Sequence, residues 1–263
     1  MKICIAVCAK NEENTIISTL NSLLNSAKRL ENVVYYFHVC INGSQDKTLD
    51  LVKSWGCNRE GFIVNELVNA NLVEAQRIIV DASKELSVDA LAFFDADIIV
   101  DVECLKYLVK KINEPNVMAA YAISIPKQIK TETLVEKVLN QYDLSPTIFT
   151  QRYHLHGRAF IIKDWNVPKL PIPLLVDDIY LSFYLLFKYG VESIKKVEEA
   201  KVYFYQVNNY SDYFKVYKRR NKEIYKCLSL FPEFSKLPRE WVDKRILYNK
   251  ILKESNNRIL LWF

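Results

Sequence analysis

Two acidic clusters carry most of the chemistry this chain can offer. The first lies in Leu91-Ala92-Phe93-Phe94-Asp95-Ala96-Asp97-Ile98-Ile99-Val100. Asp95 and Asp97 stand at i and i+2 between two apolar runs. Residues 90–94 are too short and too apolar for a surface helix and read as a buried strand. A strand ending in Asp-Ala-Asp brings two negative charges to the rim of a sheet, and burial there makes them want a cation. Oxygen-only ligation suits Mg²⁺ or Mn²⁺, which keeps waters and takes further oxygens from a phosphate. The pattern points to a metal-diphosphate site; its plainer reading is one Asp capping the next helix and the other solvated. The second cluster is Asp177-Asp178, which opens an apolar helix. Acidic residues there cap the helix and oppose its dipole, and one of them also suits a general base. His154 and His156 face the same side of an extended chain. They read either as metal ligands or as one hydrogen-bonded and one partly exposed histidine. His38, in an apolar strand, reads as a core histidine.

The elements that would position these groups alternate. Strands are predicted over 2–7, 33–41, 62–66, 90–94 and 117–125. Helices are predicted over 13–26, from Asp46 or Thr48 through Trp55, over 72–86, and from an Asp101 cap through Lys111. Such alternation with short links means a parallel sheet covered by helices. Ligands of such sheets bind beyond the carboxyl ends of the strands. The segments 8–12, 42–46 and 95–97 all follow strands, so all three gather on one rim. The second half is less regular. A helix is expected over 133–142, a strand over 158–163, and a stiff loop through Pro168, Pro171 and Pro173. A helix from Ile179 to Tyr189 stops at Gly190. A strand over 202–205, a basic aromatic helix over 211–230 and an amphipathic stretch over 239–263 complete the chain.

With 263 residues, half of them hydrophobic, the chain is one large domain or a domain with an appendage. Met1–Val7 is followed by Lys10-Asn11-Glu12-Glu13, so the apolar start is too short for a signal peptide. No stretch is long and apolar enough to span a membrane. The six cysteines show no C-x-x-C spacing, which fits a reducing cytosol without disulfides. The net charge is +5, unevenly spread: from Ile194 onward Lys and Arg are about twice as frequent as Asp and Glu, roughly +8 net. A basic final third suits a phosphate-rich ligand, an anionic membrane surface or nucleic acid, or simply solvates helices. The helix bearing Tyr210, Tyr213, Phe214, Tyr217 and Tyr225 interleaves aromatics with cations. That composition suits a membrane interface near a lipid-linked acceptor, sugar stacking, or packing on the sheet. No RNA-binding signature accompanies it, and nucleic acid is not expected as a partner.

In order along the chain, seven segments resemble the motifs of family 2 glycosyltransferases of the GT-A fold. Cys8-Ala9-Lys10-Asn11-Glu12-Glu13 resembles the opening nucleotide loop, with Cys8 in place of the usual Pro. Asn42-Gly43-Ser44-Gln45-Asp46-Lys47-Thr48 resembles the Asp-Asp-Gly-Ser-x-Asp-x-Thr turn, with Ile41 and Asn42 in place of its two leading aspartates. Asn71 through Ala75-Gln76-Arg77 resembles the segment bearing Ala-Arg-Asn, and Asp95-Ala96-Asp97 the metal motif. His156-Gly157-Arg158-Ala159-Phe160 resembles the small-residue stretch near the donor sugar. Val176-Asp177-Asp178 resembles the Glu-Asp pair that carries the base. Tyr217-Lys218-Arg219-Arg220 loosely resembles the Gln-x-x-Arg-Trp motif, without its Gln and Trp.

The resemblance implies a GT-A glycosyltransferase domain over 1–222, with a nucleotide-binding half over about 1–125 and an acceptor half over about 126–222. A helical appendage follows over 223–263. It implies inverting transfer from a nucleotide sugar, a UDP-sugar foremost, to an acceptor hydroxyl with Mn²⁺ or Mg²⁺. Asp97 would touch the metal, and Asp95 would hold the ribose or a metal-bound water. Asp178 would be the base, and Asp177 would orient the acceptor or the base. Ala9, Asn11, Glu12, Asn42, Arg77, Asp95, Ala96, His156, Gly157 and Arg220 would line the donor site. The acceptor would be a glycan, a lipid-linked sugar or a peptide, met in the cytoplasm or peripherally at the inner face of a membrane. Two alternatives stand beside this reading. A sugar nucleotidyltransferase uses a similar sheet but a Gly-rich phosphate loop, whereas the whole chain holds five glycines. A degenerate nucleotide-sugar binder would account for Ile41-Asn42.

Overall fold

The computed structural model describes residues 1–127, 154–163, 177–205 and 210–238. Over these the chain runs β1 (Lys2–Ala9), α1 (Ile16–Ala27), β2 (Val34–Asn42), α2 (Thr48–Gly56), β3 (Phe62–Leu67), α3 (Leu72–Glu85), β4 (Ala90–Asp95) and β5 (Ile98–Val100). It continues with α4 (Cys104–Ile112), β6 (Ala119–Pro126), β7 (Ala159–Ile162), α5 (Asp177–Tyr189), β8 (Ile194–Phe204) and α6 (Tyr210–Leu230). The expected helix over 133–142, the proline loop through Pro173 and the stretch over 239–263 lie outside the described residues.

The strands form one sheet in the order β3-β2-β1-β4-β7-β6-β8-β5. β3, β2, β1 and β4 run parallel. β7 is inserted antiparallel between β4 and β6, β8 pairs parallel with β6, and β5 closes the edge antiparallel to β8. This is an α/β fold with a mostly parallel sheet covered by helices. The directions bring the carboxyl ends of β1, β2, β3, β4, β6 and β8 to the same rim as the amino ends of β5 and β7. Both faces of the sheet are covered, which is why its central strands are nearly continuous apolar runs. Ile3, Ile5 and Val7 of β1 join Leu20, Trp55 and Leu105 of α1, α2 and α4. Cys4 and Ala6 join Ile79, Phe93, Phe160 and Phe183 on the other side. Phe93 and Phe160 stack across β4 and β7 with ring centroids 5.3 Å apart.

Three elements differ from the sequence-based expectation. β5 follows Asp97 directly and is three residues long. It exists only because β8 pairs with it, Ile98 opposite Phe204. β8 starts at Ile194, not near Val202; its first half carries Lys195, Lys196, Glu198 and Glu199. A register shift separates Ala122–Val197 from Ile123–Lys201, so Glu198, Glu199 and Ala200 bulge out of the ladder while Lys195 and Lys196 stay in it. α4 begins at Cys104, because the Asp101 carboxylate accepts the Glu103 amide at 3.0 Å in a turn before the helix. α6 matches the helix expected over 211–230, and beyond it Phe231 and Phe234 pack on Tyr180 of α5 at 4.8 and 5.9 Å.

Candidate functional site

Two loops meet beyond the ends of β1 and β2. Asn11 adopts a left-handed φ of 55°, which Asn tolerates better than most residues. This turns its amide to Ser44 Oγ (3.0 Å) and its Oδ1 to the Gln45 amide (2.8 Å). The Glu12 amide donates to Thr48 Oγ1 at 2.8 Å, and the Glu13 amide to Asp46 Oδ2 at 3.1 Å. Asp46 Oδ1 also accepts the Thr48 amide at 3.0 Å. Partial desolvation pushes the Asp46 carboxyl up, but the Thr48 hydroxyl and the amides of Thr48 and Glu13 outweigh it and hold the group below its ordinary range. Asn11 and Glu12 thus bind the two loops into one ledge. Asn42 is buried, and its Oδ1 accepts the Asn71 amide at 2.6 Å, tying β2 to the start of α3. Gly43 beside it has φ 67°, and a Cβ there would meet Ala70 N at 2.6 Å.

The Asp-Ala-Asp segment is held from beneath. Ala96 is buried, while Asp95 and Asp97 are both exposed. The expectation of buried carboxylates is corrected on this point: the strand ends at Asp95, so both side chains reach water, and desolvation does not force a cation on them. What fixes the segment is α1. Thr19 Oγ1, fully buried, lies 2.8 Å from Ala96 O and 2.7 Å from Ile98 O. Ser22 Oγ accepts the Val100 amide and Ser26 Oγ the Leu105 amide, each at 3.0 Å. These hydroxyls form a stripe on one face of α1, spaced as a helix requires. That spacing was readable in the sequence, but its meaning was missed. From the other side, the Asp95 amide donates to the Arg158 carbonyl at 2.9 Å, continuing the β4–β7 ladder to the rim.

Asp178 sits in the first turn of α5 and is buried. Among the described residues its Oδ1 has no hydrogen-bond partner. A Cβ built on Gly157 would lie 3.1 Å from Asp178 Oδ2, so glycine leaves room for the carboxylate to lie against the loop before β7. Ser182, one turn on, locks this contact: its Oγ donates to the Asp178 carbonyl and accepts the Leu155 amide at 2.9 Å. His156 lies at the same place, its Nδ1 3.5 Å from Ser124 Oγ and its Nε2 3.5 Å from the Arg158 guanidinium. His154 parts from it, buried with its ring edge-on to Phe183 at 5.4 Å. The pair is thus not a shared metal site. His38 is a core histidine, fully buried, with Nε2 2.7 Å from Asn65 Oδ1.

Ala9, Asn11, Glu12, Asn42, Asp95, Ala96, Asp97, His156, Gly157 and Asp178 therefore occupy one rim. Arg77 is held differently, in an ion pair with Glu74 at 2.7 Å within α3. The side chains of Asp177 and Arg220 lie outside the described residues. For a divalent cation the donor set is two exposed carboxylates with a third nearby. Burial raises the Glu12 carboxyl, and the charges of Asp97 and Asp46 raise it further against the Thr15 hydroxyl. Among the described residues no group of three or more ligands forms. Two carboxylates fit a cation that completes its shell with waters and phosphate oxygens.

The family described as Glycosyl transferase family 2 matches residues 4–163. No curated protein matches the chain. Among solved structures, the mannosyltransferase PcManGT from Pyrobaculum calidifontis, in complex with GDP-Man and Mn²⁺, is 14% identical with a TM-score of 0.67, over 95% of this chain and 69% of that one. TarS 1–349 of S. aureus in complex with UDP is 17% identical with a TM-score of 0.56, over 85% of this chain and 65% of that one. Glucosyl-3-phosphoglycerate synthase from Mycobacterium tuberculosis, in complex with phosphoglyceric acid, is 19% identical with a TM-score of 0.56, over 87% and 79%. At these identities the likeness establishes the fold, that of GT-A glycosyltransferases.

Proposed function

The chain belongs to glycosyl transferase family 2, and from that premise we propose that it is an inverting enzyme moving a sugar from a UDP-sugar to an acceptor hydroxyl, with Mn²⁺ or Mg²⁺. Family and fold support sugar transfer from a nucleotide sugar. The observation that carries the rest is Asp178: a buried carboxylate with one oxygen unpartnered among the described residues, on the rim that holds Asp95 and Asp97. A buried acceptor oxygen without a donor is costly unless a substrate hydroxyl supplies the proton.

In this reading Asp178 Oδ1 takes the proton of the acceptor hydroxyl as its oxygen attacks the anomeric carbon. Single displacement inverts that centre. His156 and Gly157 flank the sugar, and Asp177 orients the acceptor. Asn11, Glu12 and Asn42 form the nucleotide ledge, with Ala9 beneath it. Arg220 and Arg77 are the candidates for added positive charge, Arg77 only after leaving Glu74. Asp97 and Asp95 would hold the divalent ion, which when bound neutralises the leaving diphosphate. The acceptor is a glycan, a lipid-linked sugar or a peptide, reached on the cytoplasmic side. Among the described residues no helix is long and apolar enough to cross a membrane. The unit over 1–222 would carry this chemistry, with 223–263 as its appendage.

A degenerate binder is the second reading, favoured by Asn42, whose carbonyl oxygen is engaged by the Asn71 amide. Calorimetric titration of UDP and GDP, with and without Mn²⁺, followed by turnover of their sugars, separates the two. We expect Mn²⁺-dependent binding of UDP, lost in Asp97→Ala. We also expect Asp178→Asn to bind the donor and transfer nothing. Full turnover by Asp178→Asn would remove it as the base. Well-folded protein that binds no nucleotide would overturn the donor site.

A further inference from the structure

Helix α6 carries its charge on one side. Ser211, Lys215, Lys218, Lys222, Tyr225 and Ser229 are exposed and stand four, three, four, three and four residues apart, the spacing of a single helix face. Arg219, also exposed, widens that face beside Lys218. Glu223 is turned the other way and buried, and Ile224, Cys227 and Leu228 pack into the core that α5 shares. Among the described residues Lys218, Arg219 and Lys222 stand in no ion pair. Over 210–238 the exposed carboxylate among the described residues is Glu233, against Lys215, Lys218, Arg219, Lys222 and Lys236.

At the far end of the helix this surface turns apolar. Tyr225, Leu230 and, from the last turn of α5, Phe187 keep between 42% and 62% of their area in water. A ring cluster links the last two: Phe187 lies on Phe234 at 5.9 Å, and Phe234 on Phe231, the residue after Leu230, at 5.4 Å. Lys188, next to Phe187, is exposed as well.

A row of cations on a rigid helix suits a partner with a surface of fixed negative charge. Nucleic acid and an anionic bilayer both present one, and the apolar residues decide between them. A single strand is gripped by ring faces set out along a basic groove. Here the rings gather at one end and pack on one another, and Leu230 has no base to stack on. A bilayer interface takes aromatic and aliphatic tips at the acyl boundary while the cations stay among the headgroups. α6 has 21 residues, but its charged stripe keeps it on such a surface rather than through it. We propose that the exposed face of α6, with Leu230 and Phe187 at its end, is a docking surface for a bilayer of anionic lipids. β8 ends at Phe204 and α6 begins six residues later, so the start of the helix is within about 20 Å of the rim. Docking therefore holds the rim near the headgroups, where a lipid-linked acceptor presents its sugar. The surface itself stands apart from the glycosyl-transfer reading, since no donor or acceptor enters it.

The test is co-sedimentation of the full chain with vesicles, without nucleotide or metal. One set is phosphatidylcholine alone, the other a two-to-one mixture of phosphatidylcholine and phosphatidylglycerol. We expect binding to the anionic set at least tenfold tighter, and at least tenfold weaker when salt rises from about 0.1 to 0.5 M and screening shortens. A lysine near an anionic surface contributes about fivefold in affinity. The double variant Lys218→Gln, Lys222→Gln should therefore bind about 25-fold more weakly. Leu230→Ser and Phe187→Ser should each weaken binding several-fold with the salt dependence unchanged, and melting temperatures confirm the fold. Equal binding to neutral and anionic vesicles overturns the proposal, as does undiminished binding by the double variant. So does a single-stranded oligothymidylate that binds more tightly than the anionic vesicles and displaces the protein from them, which would make the stripe a nucleic-acid surface. Calorimetric binding of UDP with Mn²⁺ is read separately and should be the same in the wild type and the double variant. Its loss in the double variant alone would assign the lysines to the donor and overturn the docking surface. Its absence from both, with vesicle binding intact, leaves the docking surface standing and overturns the donor site.

Discussion

Ser182→Ala tests whether Asp178, the proposed base, is held by the geometry described. Ser182 is fully buried, and its hydroxyl is the acceptor for the amide of Leu155, itself buried. Alanine leaves that amide without a partner and out of reach of water. An unsatisfied buried donor costs about 1–3 kcal/mol. The Asp178 carbonyl keeps its place in the first turn of α5, so the amide dominates. For a chain of this size each kcal/mol lowers Tm by about 2–4 °C, which gives a drop of roughly 2–12 °C. The functional effect follows from the same bond. It joins α5 to the loop carrying His156 and Gly157, and that loop lies so close that a Cβ on Gly157 would stand 3.1 Å from Asp178 Oδ2. Misplacement by about 1 Å costs on the order of 100-fold in rate, so a smaller loosening should lower kcat about tenfold. The donor KM should not move. The assays are thermal unfolding by circular dichroism, hydrogen exchange at the Leu155 amide, and steady-state kinetics. An unchanged Tm with full protection at Leu155 would refute the bond. A raised donor KM with normal kcat would refute its link to the base.

Thr19→Val keeps the shape of a buried residue and removes the hydroxyl beneath Ala96 and Ile98. It should cost about 1–2 kcal/mol and weaken Mn²⁺-dependent UDP binding several-fold, measured by urea unfolding and calorimetry. In Gly56→Ala the new Cβ would fall 1.9 Å from Phe62 Cε1, whose ring packs on Trp55 at 5.6 Å. Urea unfolding should show a loss of about 1–3 kcal/mol or more, with nucleotide binding retained by the surviving folded protein. Burial holds the His38 imidazole below its ordinary value, against the Asn65 hydrogen bond that raises it. The unfolded chain therefore takes up this proton first as pH falls. The contribution of His38 to stability is whole above about pH 6.5 and is lost progressively below it. Urea midpoints at pH 7.5 and 5.5 should differ more for the wild type than for His38→Gln.

The first half of the chain was legible because its signals are local. Apolar runs of five to eight residues separated by helical periodicity can only be strands buried on both faces. β1 to β4 and the helices between them fall within three residues of their expected ends. Asp95, Asp97 and Asp178 could be named because acidic residues at strand and helix ends are readable as residue types in order. The exposure of Asp95 and Asp97 was not legible, since it depends on where β4 stops against the antiparallel β7. β5 was hidden because three residues carry no period, and its partner lies about a hundred positions later. The first half of β8 was hidden because Lys195, Lys196, Glu198 and Glu199 leave it no apolar run, and the last two sit in a bulge. The Gly157–Asp178 contact and the Ser182 clamp join segments distant in sequence. Propensity and periodicity act over a few residues, so the parallel α/β frame and the acids it delivers to one rim can be read along the chain. How those acids are exposed and braced rests on hydrogen bonds between segments far apart in sequence, and it emerges only in the folded chain.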